Sequence, residues 1–433
     1  MQAALVKEFL MKLTVTMLLA GAILVSLSQF TKASEQPGEP NSLVTLDDYL
    51  RYAEMNNAGL KASFEEWRSA IEQVPQAKSL SDPVLSYGYA TRPTPQRSMF
   101  EVMQMFPWFG TIEVRTDAAK AAANAAGKRY QSQQLKLFSE VKQAYYEYSY
   151  LARQVEISRE NLELLKHFEQ VTRIRYATSQ MSHPDHIRSQ IEVSNAQYDL
   201  QILESLREPL TAKLNSILNR LSFSSLPWPA RIEFKDMELN HQQIIALVIK
   251  NNPELQAMNF EIDAAKRQVE LAKKRFYPEF GLGVAVEAGM GENMSSRTMP
   301  KVQVTLPIWR DNYSAGQRQA EAGVRKAGQQ KTESQNNMVA QTESVIYDFE
   351  NSAKKVKLYS NDLIPQTKEL LKASEAAYSS GTIDFLNLIE AQRLLLQYRL
   401  ECEHSITGNA QKAAELEAMC GTELPAAKKD SDK

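Results

Sequence analysis

The chain reads as a mainly α fold with a small β part, built from two copies of one unit. Three observations predict it. The first is an internal repeat: Asn56-Asn57-Ala58-Gly59-Leu60 returns as Asn251-Asn252-Pro253-Glu254-Leu255, and Asp82-Pro83 returns as Tyr277-Pro278, both 195 positions on. Phe106-Pro107 meets Leu306-Pro307 at a spacing of 200, and Tyr145, Tyr176 and Gln190 meet Tyr347, Tyr378 and Gln392 at 202. A period this long is a duplicated domain rather than a solenoid unit. The second is a set of short segments with apolar alternation, and the third is a pair of very long stretches almost free of proline. Each copy therefore runs short helix, strand pair, long helical hairpin.

The N-terminus comes first. Lys7 and Lys12 precede an apolar run from Leu13 to Leu27, with a small-residue cleavage site after Ala33. This predicts a signal peptide over 1–33 and an exported mature protein. A start at Met11 would make the signal more compact. No cysteine lies near the cleavage site, so no lipid anchor is expected there. The remainder holds no run of 18 apolar residues, which leaves closed strands as the one way across a bilayer.

The first copy is assigned to 34–225. After a polar lead-in over Ser34–Ser42, Thr45 caps a short helix that runs toward Gln76. Strands are expected at about 84–91 and 99–106. Leu85, Tyr87 and Tyr89 on one, and Phe100, Val102 and Phe106 on the other, share a face that Gln104 interrupts. Long helices follow over 111–176 and 184–221, with a turn at Ala177–Ser182. An inter-repeat linker over 226–239 contains Pro227-Trp228-Pro229. The second copy, 240–424, begins with a helix from about Asn240 to Phe276. Its strands, about 280–287 and 301–306, alternate more cleanly: Phe280, Leu282, Val284 and Val286, then Val302, Val304 and Leu306. Its long helices span 312–378, interrupted only by Pro365, and 384–419. The tail 425–433 is polar and expected to be disordered.

Apolar on one face and small or polar on the other is the pattern of a transmembrane barrel strand. A soluble hairpin with one wet face would show it too, but does not account together for export, missing spans and duplication. Trp108 and Trp309 sit just past the strands, where aromatic rings favour the headgroup layer. Four strands are too few to close a barrel, so several chains must pool theirs, and three chains would give twelve. At 1.5 Å per residue the longest helices are rods of about 100 Å, whose apolar faces, such as Val141, Tyr145, Tyr148 and Ala152, need neighbours.

Composition excludes other classes. A net charge of -2 gives no field toward nucleic acid. Five scattered histidines, with no Gly-x-Ser-x-Gly, P-loop or Cys-x-x-Cys pattern, point away from an enzyme, and no cofactor is expected. Cys402 and Cys420, about 27 Å apart if they share a helix, are expected as buried packing thiols rather than a disulfide.

Two clusters could carry metal chemistry. His183 and His186, either side of Pro184-Asp185, could hold a divalent ion or sense pH. They equally read as a helix start capped by Ser182. Met103 and Met105 face the polar side of their strand beside Glu101, among six methionines near the hairpins (Met99, Met290, Met294 and Met299 are the others). Thioethers suit Cu(I)-like ions, though methionine also fills irregular space.

Gln104-Met105-Phe106-Pro107-Trp108-Phe109-Gly110 with Arg115, and Ala377-Tyr378-Ser379-Ser380-Gly381 leading to Leu388-Ile389-Glu390-Ala391-Gln392-Arg393, together with the order of elements, resemble the TolC family of trimeric outer-membrane efflux channels. The Pro-Trp-Phe-Gly segment looks most like the branches that include heavy-metal efflux. The resemblance implies four strands per chain in a trimeric transmembrane barrel and a periplasmic α-barrel of helical hairpins. It also implies outer-membrane lipid around the barrel, and docking to a periplasmic adaptor and an inner-membrane pump of the resistance-nodulation-division type. Matched by position, the family's acidic gate falls on Asn387 and Glu390, and in the first copy on Asp185 and Arg188. The adaptor-docking turns fall on Ser179 and Gly381. The gate keeps one acid per pair, and one docking glycine is a serine. A periplasmic adaptor or a structural coiled-coil envelope protein is the alternative, neither of which requires two copies with lipid-patterned strands.

Overall fold

The computed structural model describes residues 43–90, 96–178, 183–289 and 296–424. The signal segment, the tail, Ser179, Ser182, Met290 and Met294 lie outside them. The first copy contains α1 (Leu46–Asn56), α2 (Ala58–Lys78), β1 (Val84–Tyr89), β2 (Gln96–Phe106), α3 (Thr111–Ala177), α4 (His183–Ser205) and α5 (Arg207–Ile217). The second contains α6 (His241–Asn251), α7 (Pro253–Lys274), β3 (Glu279–Gly289), β4 (Arg297–Thr305), α8 (Arg310–Lys357), a π turn (Leu358–Leu363), α9 (Ile364–Ser379) and α10 (Phe385–Cys420). The fold is mainly helical with one small sheet, as the periodicities predict. No helix among the described residues is long and apolar enough to cross a membrane.

Four helices differ from expectation, each for a local reason. The opening helix of each copy is two helices. The break falls on Asn57 and Asn252, whose backbones are extended at ψ 125° and 121°. Asn57 Oδ1 accepts from the Leu60 amide at 2.8 Å, while its Nδ2 donates to the Ile217 carbonyl at 2.8 Å. Asn252 Oδ1 accepts from Glu254 and Leu255, and its Nδ2 donates to the Met419 carbonyl at 3.0 Å. The repeated asparagine thus caps one helix and ties it to the end of the return helix of its own copy.

The return helix expected over 184–221 is interrupted at Leu206 and stops at Ile217. Pro209 has no N–H for the Ser205 carbonyl four residues back, so the helix breaks there. At the far end Asn219 takes a left-handed φ of 56°, and Arg220 N donates to Asn215 O, which closes the terminus. The helix expected over 312–378 contains the π turn before Pro365. The widened turn accommodates a residue that cannot donate to the Asn361 carbonyl.

Helix α3 is the spine. Leu137, Val141, Ala144, Tyr145, Tyr148, Leu151 and Val155 are buried along one of its seams. Helices α1, α2, α4, α5, α7 and α10 all pack against it. The inter-copy linker is pinned to the same helix: Trp228 stacks on Tyr148 at 5.2 Å, Tyr148 Oη donates to the Leu226 carbonyl, and the Arg207 guanidinium covers the Trp228 ring at 4.4 Å. Nearby, the almost buried Glu403 of α10 accepts from Arg153 of α3 at 3.2 Å and from linker Arg231 at 2.7 Å. Both cysteines lie buried and free on α10; burial raises both thiols, that of Cys420 to about 11.

The four strands form one antiparallel sheet in the order β1-β2-β3-β4. The register places Leu85 opposite Val102, Val102 opposite Val284, and Leu282 opposite Val302. One face therefore carries the apolar set, and it is open: Leu85, Val302 and Leu306 are 70%, 72% and 70% exposed. The opposite face carries Glu101, Met103, Ala285 and Lys301. Lys301 Nζ reaches Glu101 Oε2 at 2.5 Å diagonally across Ala285. Gln104, on the apolar side, donates to the carbonyls of Ser81 and Met105, which ties down its amide. Below the sheet Trp108 stacks on Tyr277 at 5.0 Å and Phe280 at 5.8 Å, while Phe109 and Trp309 remain exposed. Arg115 donates to the Ala77 and Ser79 carbonyls, a cation at the C-terminus of α2.

Two predictions follow from these joints. Asn252→Ala loses a cap and a tie that is only 6% exposed, and should destabilise the chain by about 2 kcal/mol. Asn252→Asp, which keeps the acceptor, should lose about half of that by thermal unfolding. The second concerns His241, which bridges α6 to α8 through Glu350 (2.9 Å) and Glu343 (3.3 Å). The hydrogen bond to Glu350, then its charge and that of Glu343, raise the imidazole above its ordinary range. A raised folded value stabilises fully below the unfolded pKa and is lost as pH rises through the folded one. The gap in thermal midpoint between wild type and His241→Gln should be widest near about pH 6 and should close by about pH 9.

Candidate functional site

The region where α3 turns into α4 and α9 into α10 gathers the sequence-predicted gate. Its floor is a hydrophobic cluster of Leu165, Phe168, Leu371, Tyr378, Phe385, Leu388 and Ile389. In α10, Leu388 and Ile389 turn into that cluster, so Asn387 and Glu390, three residues apart, share the exposed face. Asp185 and Arg188 occupy the matching positions on α4, with Asp185 half-buried and Arg188 exposed.

The two α10 residues, Asn387 and Glu390, are not held alike. Asp384 caps α10 and accepts from both the Asn387 amide N–H (3.1 Å) and its side-chain Nδ2 (2.7 Å). Asn387 is thus part of the helix cap as well as of the exposed face. No hydrogen bond or ion pair to another described residue holds Glu390, which keeps its charge available to solvent. Further along, Arg393 pairs with Glu192 of α4, which links the two return helices.

Gly381 closes α9 with a φ of 77°, a left-handed conformation that favours glycine. Its N–H donates to the Tyr378 carbonyl and that of Thr382 to the Ala377 carbonyl, a Schellman closure. Arg175, in the last turn of α3, completes the end of α9. Its Nη1 donates to the Tyr378 carbonyl at 2.5 Å and Nη2 to the Ser379 carbonyl at 3.2 Å, with the guanidinium 4.9 Å from the centre of the Tyr378 ring. A cation here meets the negative end of the helix. Burial pushes the Tyr378 phenol up, Arg175 opposes this, and the nearby charge of Asp185 adds to it. The first copy thereby fastens the turn of the second.

Sequence reasoning missed Arg175. The signal was there: at the spacing of 202 it stands opposite Ala377, so one copy has a guanidinium where the other has a methyl.

His183 and His186 flank Tyr176. The Tyr176 ring lies 5.1 Å from His183 and stacks on His186 at 5.6 Å. Both His186 ring nitrogens face partners, Nδ1 toward Thr172 Oγ1 (3.5 Å) and Nε2 toward Gln190 (3.3 Å). Among the described residues no group of three or more His, Cys, Asp or Glu is placed to hold a metal. Met103 and Met105 lie on the polar face of the sheet, well away along the chain.

An exposed apolar sheet face joined to long helical hairpins, with charged side chains at their turns, is the construction of a channel protein of the outer membrane. The chain belongs to the outer membrane efflux protein family, whose model matches residues 99–219 and 244–422, one segment in each copy with the linker between them. The cobalt-zinc-cadmium resistance protein CzcC of Cupriavidus metallidurans is 20% identical over 398 residues, which cover 89% of this chain and 92% of CzcC. Crystal structures of CusC share the fold at a TM-score of 0.76 and 14% identity, over 87% of this chain and 92% of that one. The open-state MtrE outer membrane channel of Neisseria gonorrhoeae does so at 0.72 and 16%, over 88% and 89%.

The Arg175 fork should be measurable. Arg175→Ala removes two charge-assisted hydrogen bonds, and amide exchange over 380–384 should accelerate about tenfold or more. Arg175→Lys should not restore protection, because an ammonium cannot reproduce the fork.

Proposed function

We propose that three copies of this chain form the outer-membrane duct of a tripartite efflux system. The duct is passive, and carries small molecules or metal ions from a periplasmic adaptor and an inner-membrane pump to the outside. The single observation that carries this reading is the four-stranded sheet, with one face apolar and exposed and with β1 and β4 as open edges. In lipid every backbone N–H and C=O must be paired, so open edges demand further strands, and three sheets supply twelve. The polar face then lines the lumen and the apolar face meets lipid.

The mouth formed by the helix turns is the gate. Asp185, Arg188, Asn387 and Glu390 would line its constriction, with Glu390 as the uncompensated acid and Arg188 offsetting Asp185. Threefold repetition would make Glu390 a ring that attracts cations, weaker than a ring with two acids per turn. The Arg175 fork holds one wall in place and must yield when the mouth widens. Gly381, and Ser179 at the matching position of the first copy, would present the turns to the adaptor. An adaptor of pump systems of the resistance-nodulation-division type fits helical hairpin ends. The likeness to a cobalt-zinc-cadmium resistance protein supports metal ions among the cargo.

A heat-sensitive trimer recovered from outer-membrane fractions, conducting in planar bilayers, is the expected result. A monomer confined to the soluble periplasm would overturn the reading. In the same bilayers Glu390→Ala should raise single-channel conductance and lower cation preference. A variant channel indistinguishable from wild type would remove Glu390 from the gate.

A further inference from the structure

The sheet sorts its methionines in an unexpected direction. The four strand methionines among the described residues are Met99, Met103 and Met105 on β2 and Met299 on β4. By register all four fall on the polar face: Met105 opposite Gly281, Met103 in the row of Gly283 and Lys301, Met299 in that of Glu101 and Ala285, and Met99 in that of Glu287 and Arg297. The apolar face, where methionine would serve as a lipid-facing hydrophobe, has none among its described strand positions.

Two of the four converge. A Cβ built on Gly281 would stand 2.7 Å from Met105 Sδ and 3.1 Å from Met103 Sδ, so the two sulfurs are no further apart than the sum of those lengths. At Gly283 a side chain would also strike the Val102 carbonyl at 2.6 Å, so the backbone alone requires that glycine. At Gly281 the close atoms all belong to side chains, the two sulfurs and Gln303 Cβ. Its missing side chain therefore makes room for the thioethers. Beside them the Glu101 carboxylate is matched by Lys301. The patch is therefore sulfur-lined and locally neutral, which disfavours hard divalent ions and suits soft monovalent ones.

We propose that Met103 and Met105 form a thioether station on the lumen wall that takes monovalent copper or silver as transported cargo. The assignment rests on the duct reading for its cargo role but not for the binding itself. Its competitor is plain space-filling, in which the sulfurs only cover the glycines.

The test uses the full chain in detergent, labelled with 13C-methyl methionine and titrated with Ag(I) in chloride-free buffer. Methyl signals separate the methionines from the thiols of Cys402 and Cys420. Met103 and Met105 should shift together as Ag(I) binds, and about a tenfold excess of Zn(II) should not reproduce the shift. Met103→Leu and Met105→Leu, which conserve volume, should each weaken Ag(I) binding about tenfold or more. Gly281→Ala, with both sulfurs retained but displaced, should weaken it as well. Methyl signals of Met103 and Met105 that ignore Ag(I), or that answer Zn(II) equally, would overturn the station. Bilayer recordings on the same preparation separate the two ideas. A conducting wild-type chain with silent methionines sinks the station alone, while Ag(I) binding by a chain that does not conduct sinks the duct alone.

Discussion

One buried seam on α3 holds the chain together. A helix of 67 residues has no stability of its own proportionate to its length, since nearly all of it comes from packing an apolar face against neighbours. Here helices from both copies share that face, and the linker between the copies is stacked onto it through Trp228 and Tyr148. The salt bridges from Arg153 and Arg231 to Glu403 fasten the linker and α10 to the same stretch. The seam sets where the sheet stands at one end of α3 and where the turn into α4 stands at the other. Displacement of α3 would move both.

Duplication supplied the parts, and departures from it supplied the contacts that differ between the copies. The capping asparagines Asn57 and Asn252 are the same device used twice, with the same backbone angles and corresponding partners, Ile217 and Met419. Elsewhere the copies part. Arg175 has no counterpart in Ala377, and a fork that fastens a neighbouring helix end exists only where the first copy meets the second. Proline falls at different points, Pro209 in one return helix and Pro365 in the other copy's descending helix, so one long helix breaks and the other takes up a π turn.

Much of this was legible in the sequence. The strand pairs, their faces and the long hairpins follow from periodicity, because a side-chain period of two or 3.6 translates directly into which face is buried. The positions of Asp185, Arg188, Asn387 and Glu390 on the two return helices follow from matching the family's motif position by position. The helix breaks were less visible. Pro209 is a breaker visible in the sequence that the helical pattern around it masked, whereas Asn219 is an ordinary residue until its backbone conformation is known. The engagement of Asn387 by Asp384 needs the cap geometry, and the reach of Arg175 spans more than 200 positions.

The sequence by itself determined the local conformations and their order, since these depend on neighbours within a few positions along the chain. It also determined the two-faced strands, through strict alternation. Only the tertiary structure decided which groups meet across the repeat: the Arg175 fork, the sulfurs of Met103 and Met105 over Gly281, and the salt bridge from Lys301 to Glu101. Each depends on the register and rotation of elements brought together by packing. Those are fixed by the fit of whole faces rather than by any spacing a single segment carries.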